Sequence, residues 1–321
     1  MSRQLSRRGF VKSSLLASAA LPIALKAQDA NPITPPPNRP STPADLLPTG
    51  MIGGQSFTRL FLGGNLISGY AHARELTYVS TLMRRYNSPA KIRETLELAE
   101  QQGINAFNTW VMDDNAQLFD HWKAGGKMKW FAQARLDGGG GFSQIQRAID
   151  EGAVGVHLTG DTCEGLLSRK QFEKVAESLQ FIKSRQRIAG VAAHDLAVIV
   201  ECEKLKLGVD FYQKTFHTHD YPTAPAEKNE PVGAHDNSWC NDPLAVIDVM
   251  AKVNKPWIAF KILAAGGIHP RAAFPHAFTS GADFILVGMF DWQVEENAKF
   301  ARRVISVVAG ANSKRARPWI G

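Results

Sequence analysis

The chain has 321 residues, 44% of them hydrophobic and 21% charged, so it can bury a sizeable core and is too apolar for an intrinsically disordered protein. Its net charge of +7 invites a polyanion partner until the charges are located. Arg3, Arg7, Arg8, Lys12 and Lys26 stand in the first 27 residues without an acid, and Lys314, Arg315 and Arg317 close the chain. The stretch between is left with a net charge of −1, which gives no ground for a nucleic-acid partner.

Residues 6–12 read Ser-Arg-Arg-Gly-Phe-Val-Lys and lead into a short apolar run, 13–25, interrupted by Pro22. The run is too short to span a bilayer, so no stable membrane anchor is expected. The segment resembles the twin-arginine signal peptides of bacteria, on Arg7, Arg8, Phe10 and Lys12. That resemblance implies engagement with the twin-arginine export machinery, export in the folded state, and a periplasmic or extracellular protein. The expected organisation is a signal peptide over 1–27, a linker over 28–50 carrying six prolines between 32 and 43, a folded body over 51–312 and a basic tail over 313–321. Cys163, Cys202 and Cys240 are odd in number and widely spaced, which fits neither a disulfide framework nor a zinc ribbon.

From residue 51 onward, short β-rich apolar runs alternate with longer amphipathic segments. Strands are expected at 59–64, 105–109, 129–135, 154–158, 188–193, 210–214, 257–262 and 284–287. Helices follow each, the clearest at 89–102 behind the cap Ser88 and at 243–253 behind the cap Asp242, both with proline in the first turn. Gly103, Gly152, Gly208 and Gly281 close helices before the next strand. Eight such units predict a single (β/α)8 TIM barrel of the α/β class, with chemistry at the C-terminal ends of the strands. A doubly wound open sheet is the alternative, but Gly63-Gly64-Asn65 forms no dinucleotide fingerprint.

Polar residues at those ends are the candidate site: Asn65 and His72 after the first strand, Asn108, then Gln133 and Arg135, His157, His194 and Asp195, Lys214, and Lys261. Period-two alternation puts Gln133 with Arg135, His157 with Thr159 and Asp161, and Gly190 with Ala192 and His194, on shared faces. Lys214 and Lys261 end neighbouring strands, about 4.8 Å apart, so two inward lysines would meet. Like charge and desolvation would then lower one ammonium's pKa, and a neutral amine attacks a carbonyl to form an imine. The alternative is a buried ion pair with Asp161 or Asp195. A one-residue phase error on either strand reverses its inward assignment.

Lys214-Thr215, the run from Lys261 to Ile268, and the run from Gly281 to Gly288 resemble the class I aldolases of the deoxyribose-phosphate aldolase type. The likeness covers the last third of the chain. It implies Lys214 as the Schiff-base lysine and Lys261 as the lysine that keeps it neutral, with His157 standing where that family has a proton-relaying aspartate. Gly266, Gly267 and Gly288 look like the phosphate cradle of aldolase-type barrels, and tight turns explain them equally well. The first part of the chain resembles the aldo-keto reductases at the level of fold.

The long segment after the sixth strand carries His217, His219, Asp220, Tyr221, His235 and Trp239. With His157, His194 and Asp195 it offers nitrogen and oxygen ligands for a divalent metal, though the spacing matches no closed metal motif. Tyr70, His72, Tyr221 and Trp239 are candidates to stack on a sugar ring. The sequence thus leads to an exported lyase with an aldolase-like activity on a small carbonyl or carbohydrate substrate, through a lysine imine that needs no cofactor. A metal-dependent sugar isomerase, epimerase or hydrolase, and a non-catalytic carbohydrate-binding barrel, are the alternatives.

Overall fold

The computed structural model describes residues 46–73, 76–111, 115–225, 237–308 and 317–320. The segment expected as a signal peptide, most of the expected proline-rich linker, Arg74 and Glu75 of the first loop, His235, Lys314 and Arg315 lie outside the described residues.

Eight parallel strands close into a barrel: β3 (Leu60–Gly63), β4 (Ala106–Trp110), β5 (Lys129–Ala134), β6 (Gly155–Leu158), β7 (Ile188–Ala193), β8 (Phe211–Thr215), β9 (Trp257–Phe260) and β10 (Phe284–Gly288). They pair in chain order, and β10 returns to β3 to close the ring. Helices alternate with them on the outside, so the fold is a single (β/α)8 barrel. The cap at Ser88 accepts from the Lys91 amide and that at Asp242 from the Ala245 amide, and each helix begins at its proline as the sequence predicts. Gly103, Gly152 and Gly281 take positive φ at the ends of helices, while at the fourth such end Lys206, not Gly208, holds the left-handed position. Among the described residues no helix is long and apolar enough to cross a membrane.

Ahead of the barrel lies an antiparallel hairpin that sequence periodicity did not announce, β1 (Thr49–Ile52) with β2 (Gln55–Thr58). Its Ile52 and Phe57 pack into the barrel interior against Phe61, Ala106, Phe131, Ile188, Phe211, Ile258 and Phe284. Four of these rings touch in tilted or edge contacts 4.9–5.3 Å apart, Phe57 and Phe61 on Phe131 and Phe131 on Phe211. Gly155 and Gly190 make room for them: a Cβ on Gly190 would fall 2.2 Å from the Phe211 ring, so the small residues of β7 accommodate an apolar neighbour. Trp319 and Ile320 cover this end from below, with the Trp319 carbonyl bonded to the Met51 amide at 2.7 Å. The alternate residues of the same strands, among them Leu62, Trp130, Val156, Val191, Tyr212 and Trp257, face the helices and form the outer core.

Candidate functional site

Two residues beyond the phenylalanine layer, the interior turns polar. Asn108, Gln133, His157 and Gln213 follow Ala106, Phe131, Gly155 and Phe211 on the same faces of β4, β5, β6 and β8. Asn108 joins them: its amide nitrogen lies 2.9 Å from His157 Nε2 and donates to Gln213 Oε1 at 3.2 Å, and its oxygen accepts from Gln133 Nε2 at 2.8 Å. His157 Nδ1 lies 3.2 Å from the Leu158 carbonyl, which can only accept, so Nδ1 carries the proton and Nε2 accepts from Asn108. The ring is fully buried, and burial lowers its pKa to about 4. The floor of the mouth is therefore an uncharged, interlocked set of amides and a neutral imidazole.

Above the floor, Lys261 follows β9 in the left-handed conformation, φ 57, which costs a non-glycine residue about 1–2 kcal/mol. The bend carries its side chain over the mouth. Nζ lies 2.7 Å from His72 Nε2 and 3.7 Å from the centre of the Trp239 ring. An ammonium only donates, so His72 Nε2 accepts. His72 and His194 rings also meet the same indole, with centroids at 5.2 and 4.7 Å, and His194 lies 5.7 Å from Phe260 of the interior. Glu164, on helix Gly160–Ser168, accepts from the amides of His194 and Asp195 at 2.6 and 2.8 Å and approaches His194 Nδ1 at 3.3 Å. Burial by itself would raise the Glu164 carboxyl, but the His194 ring and these amides hold it below its ordinary value. With Nδ1 turned to the carboxylate, Nε2 is the free nitrogen for proton transfer.

The expectation of two inward lysines is corrected. Lys214 shares the outward face of β8 with Tyr212, and the residue that enters the barrel is Gln213. Lys214 Nζ donates to the carbonyls of His194 and Thr215 at 2.7 and 2.9 Å and to Thr215 Oγ1 at 2.8 Å. Burial pushes its ammonium below the ordinary lysine range, while Cys240, Glu164 and Asp195 pull the other way. The glycines expected as a phosphate cradle spend two of their amides on a turn, Gly266 on the Leu263 carbonyl at 2.8 Å and Gly267 on that of Ala264 at 3.0 Å. Gly288 ends β10 against Gly63, under the side chain of Leu66.

Three of the candidate metal ligands, Asp195, His217 and His219, are engaged in holding the chain. Asp195 caps helix Leu196–Lys204 through the Ala197 amide. His217 Nδ1 donates to the Thr218 carbonyl and Nε2 accepts from the Trp239 amide, both at 2.8 Å, and burial lowers the ring to about 4. His219 Nε2 donates to the Cys240 carbonyl at 2.6 Å. Among the described residues no three His, Cys, Asp or Glu side chains converge on a common point suited to a metal ion. His217 thus holds the main chain of Trp239, and Tyr221 holds its neighbour through a bond from its hydroxyl to the Asn237 carbonyl at 2.6 Å.

On the opposite rim, Arg135 lies 4.6 Å over the Trp110 ring and pairs with Asp161 at 2.6 Å, and Tyr70 packs 6.1 Å from Trp110. Asn65 sits in the first loop, its carbonyl accepting from the Tyr70 amide at 2.8 Å. Three contributors to the mouth were missed in the sequence: Gln213, Trp110 and Glu164. Period two from Asn108 pointed to Trp110, and a one-residue shift of β8 would have given Gln213. Glu164 carried no signal, because an acid on an amphipathic helix reads as a solvated face.

No protein-family model matches the chain, and no curated protein matches it. Solved structures do. A Pseudomonas aeruginosa protein described as an aldo-keto reductase is 16% identical over 81% of this chain and 97% of its own, with a TM-score of 0.58. One chain of the BexX/CysO complex of Amycolatopsis orientalis is 16% identical over 84% of this chain and 99% of its own, with a TM-score of 0.50. The spore coat polysaccharide biosynthesis protein spsE of Bacillus subtilis is 10% identical over 85% of this chain and 76% of its own, also at 0.50. At such identities the likeness is one of fold, and the fold is the (β/α)8 barrel.

Proposed function

We propose that this protein is an enzyme acting on a small carbonyl or carbohydrate substrate at the C-terminal mouth of its barrel, with Lys261 as acid and His194 as base. The carrying observation is the arrangement of Lys261, His72 and His194 around the one indole of Trp239. The Trp239 face favours Lys261 as an ammonium, which donates to His72 Nε2 and polarises a carbonyl oxygen rather than attacking its carbon. His194 Nε2 takes the proton of a β-hydroxyl, the bond between the α- and β-carbons breaks, and the electron pair is received as an enolate under Lys261. The β-carbon leaves as a new carbonyl, and His194 returns its proton to the enolate carbon. This is an aldolase-like lyase reaction without an imine, and Gln133, the partly exposed amide of the floor, meets a hydroxyl of the substrate.

The test is a turnover screen over hydroxyaldehydes, aldoses and ketoses with Lys261→Met and His194→Ala. Each substitution is expected to lower kcat by 10²-fold or more, the usual scale of a lost acid or base. Unchanged turnover in both overturns the reading. Borohydride added during turnover, followed by mass mapping, checks the chemistry: no adduct is expected, whereas one on Lys261 restores the imine route with a different lysine from the one the sequence suggested. Retained sugar affinity without turnover by the unaltered protein would instead favour a binding barrel. We also propose twin-arginine export, supported by Arg7 and Arg8. Replacing both by lysine should retain the protein in the cytoplasm on cell fractionation.

A further inference from the structure

We infer that Lys214 is a positioning residue, which holds His194 and Trp239 in place from behind the barrel wall through one buried ammonium. The inference rests on the roles proposed for His194 and Lys261, and its test reads geometry without a substrate.

Lys214 is 1% exposed and faces the helices, where an apolar side chain of the same length would avoid the cost of burying a charge. Its three N–H donors match three oxygens: the His194 carbonyl at the end of β7, and the carbonyl and hydroxyl of Thr215 at the end of β8. The Thr215 hydroxyl, accepting from Lys214, donates its own hydrogen bond to the Trp239 carbonyl at 2.7 Å. One branch therefore fixes the backbone of the base. The other fixes the residue on which Lys261, His72 and His194 converge. The Trp239 amide is held from the opposite side by His217, so both of its main-chain polar groups are tied to the segment that follows Lys214. Lys214 touches none of the side-chain groups proposed to react and acts through the backbones of His194 and Trp239.

The branches can be cut separately. Thr215→Val removes the hydroxyl that links Lys214 to Trp239, with its longer 3.3 Å approach to the His194 carbonyl, and leaves the 2.7 Å bond from Lys214 to that carbonyl, whereas Lys214→Met removes both Lys214 branches. Hydrogen exchange of the full chain, read by mass spectrometry, is expected to quicken about tenfold over residues 237–242 in Thr215→Val with 193–196 unchanged, and over both segments in Lys214→Met. The labelling rate of Lys261 by trinitrobenzenesulfonate, relative to the exposed Lys123, is expected to rise several-fold in Thr215→Val as Trp239 loosens beneath it. Thr215→Ser should restore both readouts, which a general packing defect would not allow. Wild-type exchange and labelling in Thr215→Val overturns the inference, as does quickening spread evenly over all eight strands. Local loosening together with full turnover in Lys261→Met upholds the positioning role and removes Lys261 from the chemistry.

Discussion

The two ends of the barrel interior are made by the same strands, two residues apart, and they obey different chemistry. Phe131 and Phe211 lie in a closed aromatic layer, while Gln133 and Gln213, next on the same faces, join a hydrogen-bonded layer. The lower layer holds the fold by excluding water, so its cohesion is non-directional and grows with area. The upper layer contributes little net stability per bond but is costly to leave unpaired, so it specifies geometry more than it adds strength. A barrel can therefore carry a reactive mouth because its cohesion is concentrated at the other end.

Substitutions should separate the layers, the largest effect first. Phe131→Ala removes the ring that meets Phe57, Phe61 and Phe211, and is expected to cost about 3–5 kcal/mol in denaturant unfolding. Asn108→Ala, one layer up, should cost about 1–3 kcal/mol for the partners it leaves unpaired. Equal costs would erase the distinction. Acid tests the upper end next, since His157 and His217 are buried neutral, each lowered from 6.5 to about 4. Above pH 6.5 both rings are neutral whether folded or unfolded. As pH falls toward 4 the unfolded chain takes up protons that the folded chain refuses, so stability drops through that window, by about 3 kcal/mol per ring, and levels off below it. Thermal melts at pH 7 and pH 4.5 measure the drop, and His157→Gln should remove about half of it.

An effect the size of that at Asn108 is expected where the two layers meet. Gly190→Ala drives a methyl group into the Phe211 ring and should cost about 1–3 kcal/mol through overpacking, which calorimetry would register. The rim should matter least to stability: Asp161→Asn breaks a half-exposed pair with Arg135 and is expected to change it by less than about 1 kcal/mol. A loss of turnover in Asp161→Asn without a shift in melting temperature would mark that rim as part of the site.

The reading of the fold was legible where local rules act. Ser88 and Asp242 announced their helices, and β7 runs over the residues its apolar run defined. The hairpin of β1 and β2 was not, because four-residue strands around Gly53 and Gly54 carry too little alternation to stand out. Of the candidate site, His72, Asn108, Gln133, Arg135, His157, His194 and Lys261 gather at the mouth. His217, His219 and Asp195 instead fasten the chain that supports it.

What the sequence determined by itself is the order of eight strand-helix units and the end of the barrel at which polar side chains collect, since both follow from periodicity and from the handed strand-helix connection. Only the tertiary structure decided the phase of each strand. Central parallel strands are buried on both faces, so Phe211-Tyr212-Gln213-Lys214-Thr215 shows no clean alternation to say which side chains enter. A shift of one residue exchanged the two faces, bringing Gln213 into the floor and turning Lys214 to the wall behind it. The partnership of Lys261 with His72 and Trp239 was likewise decided in three dimensions, because it joins side chains 189 residues apart in sequence through a backbone bend that no local pattern encodes.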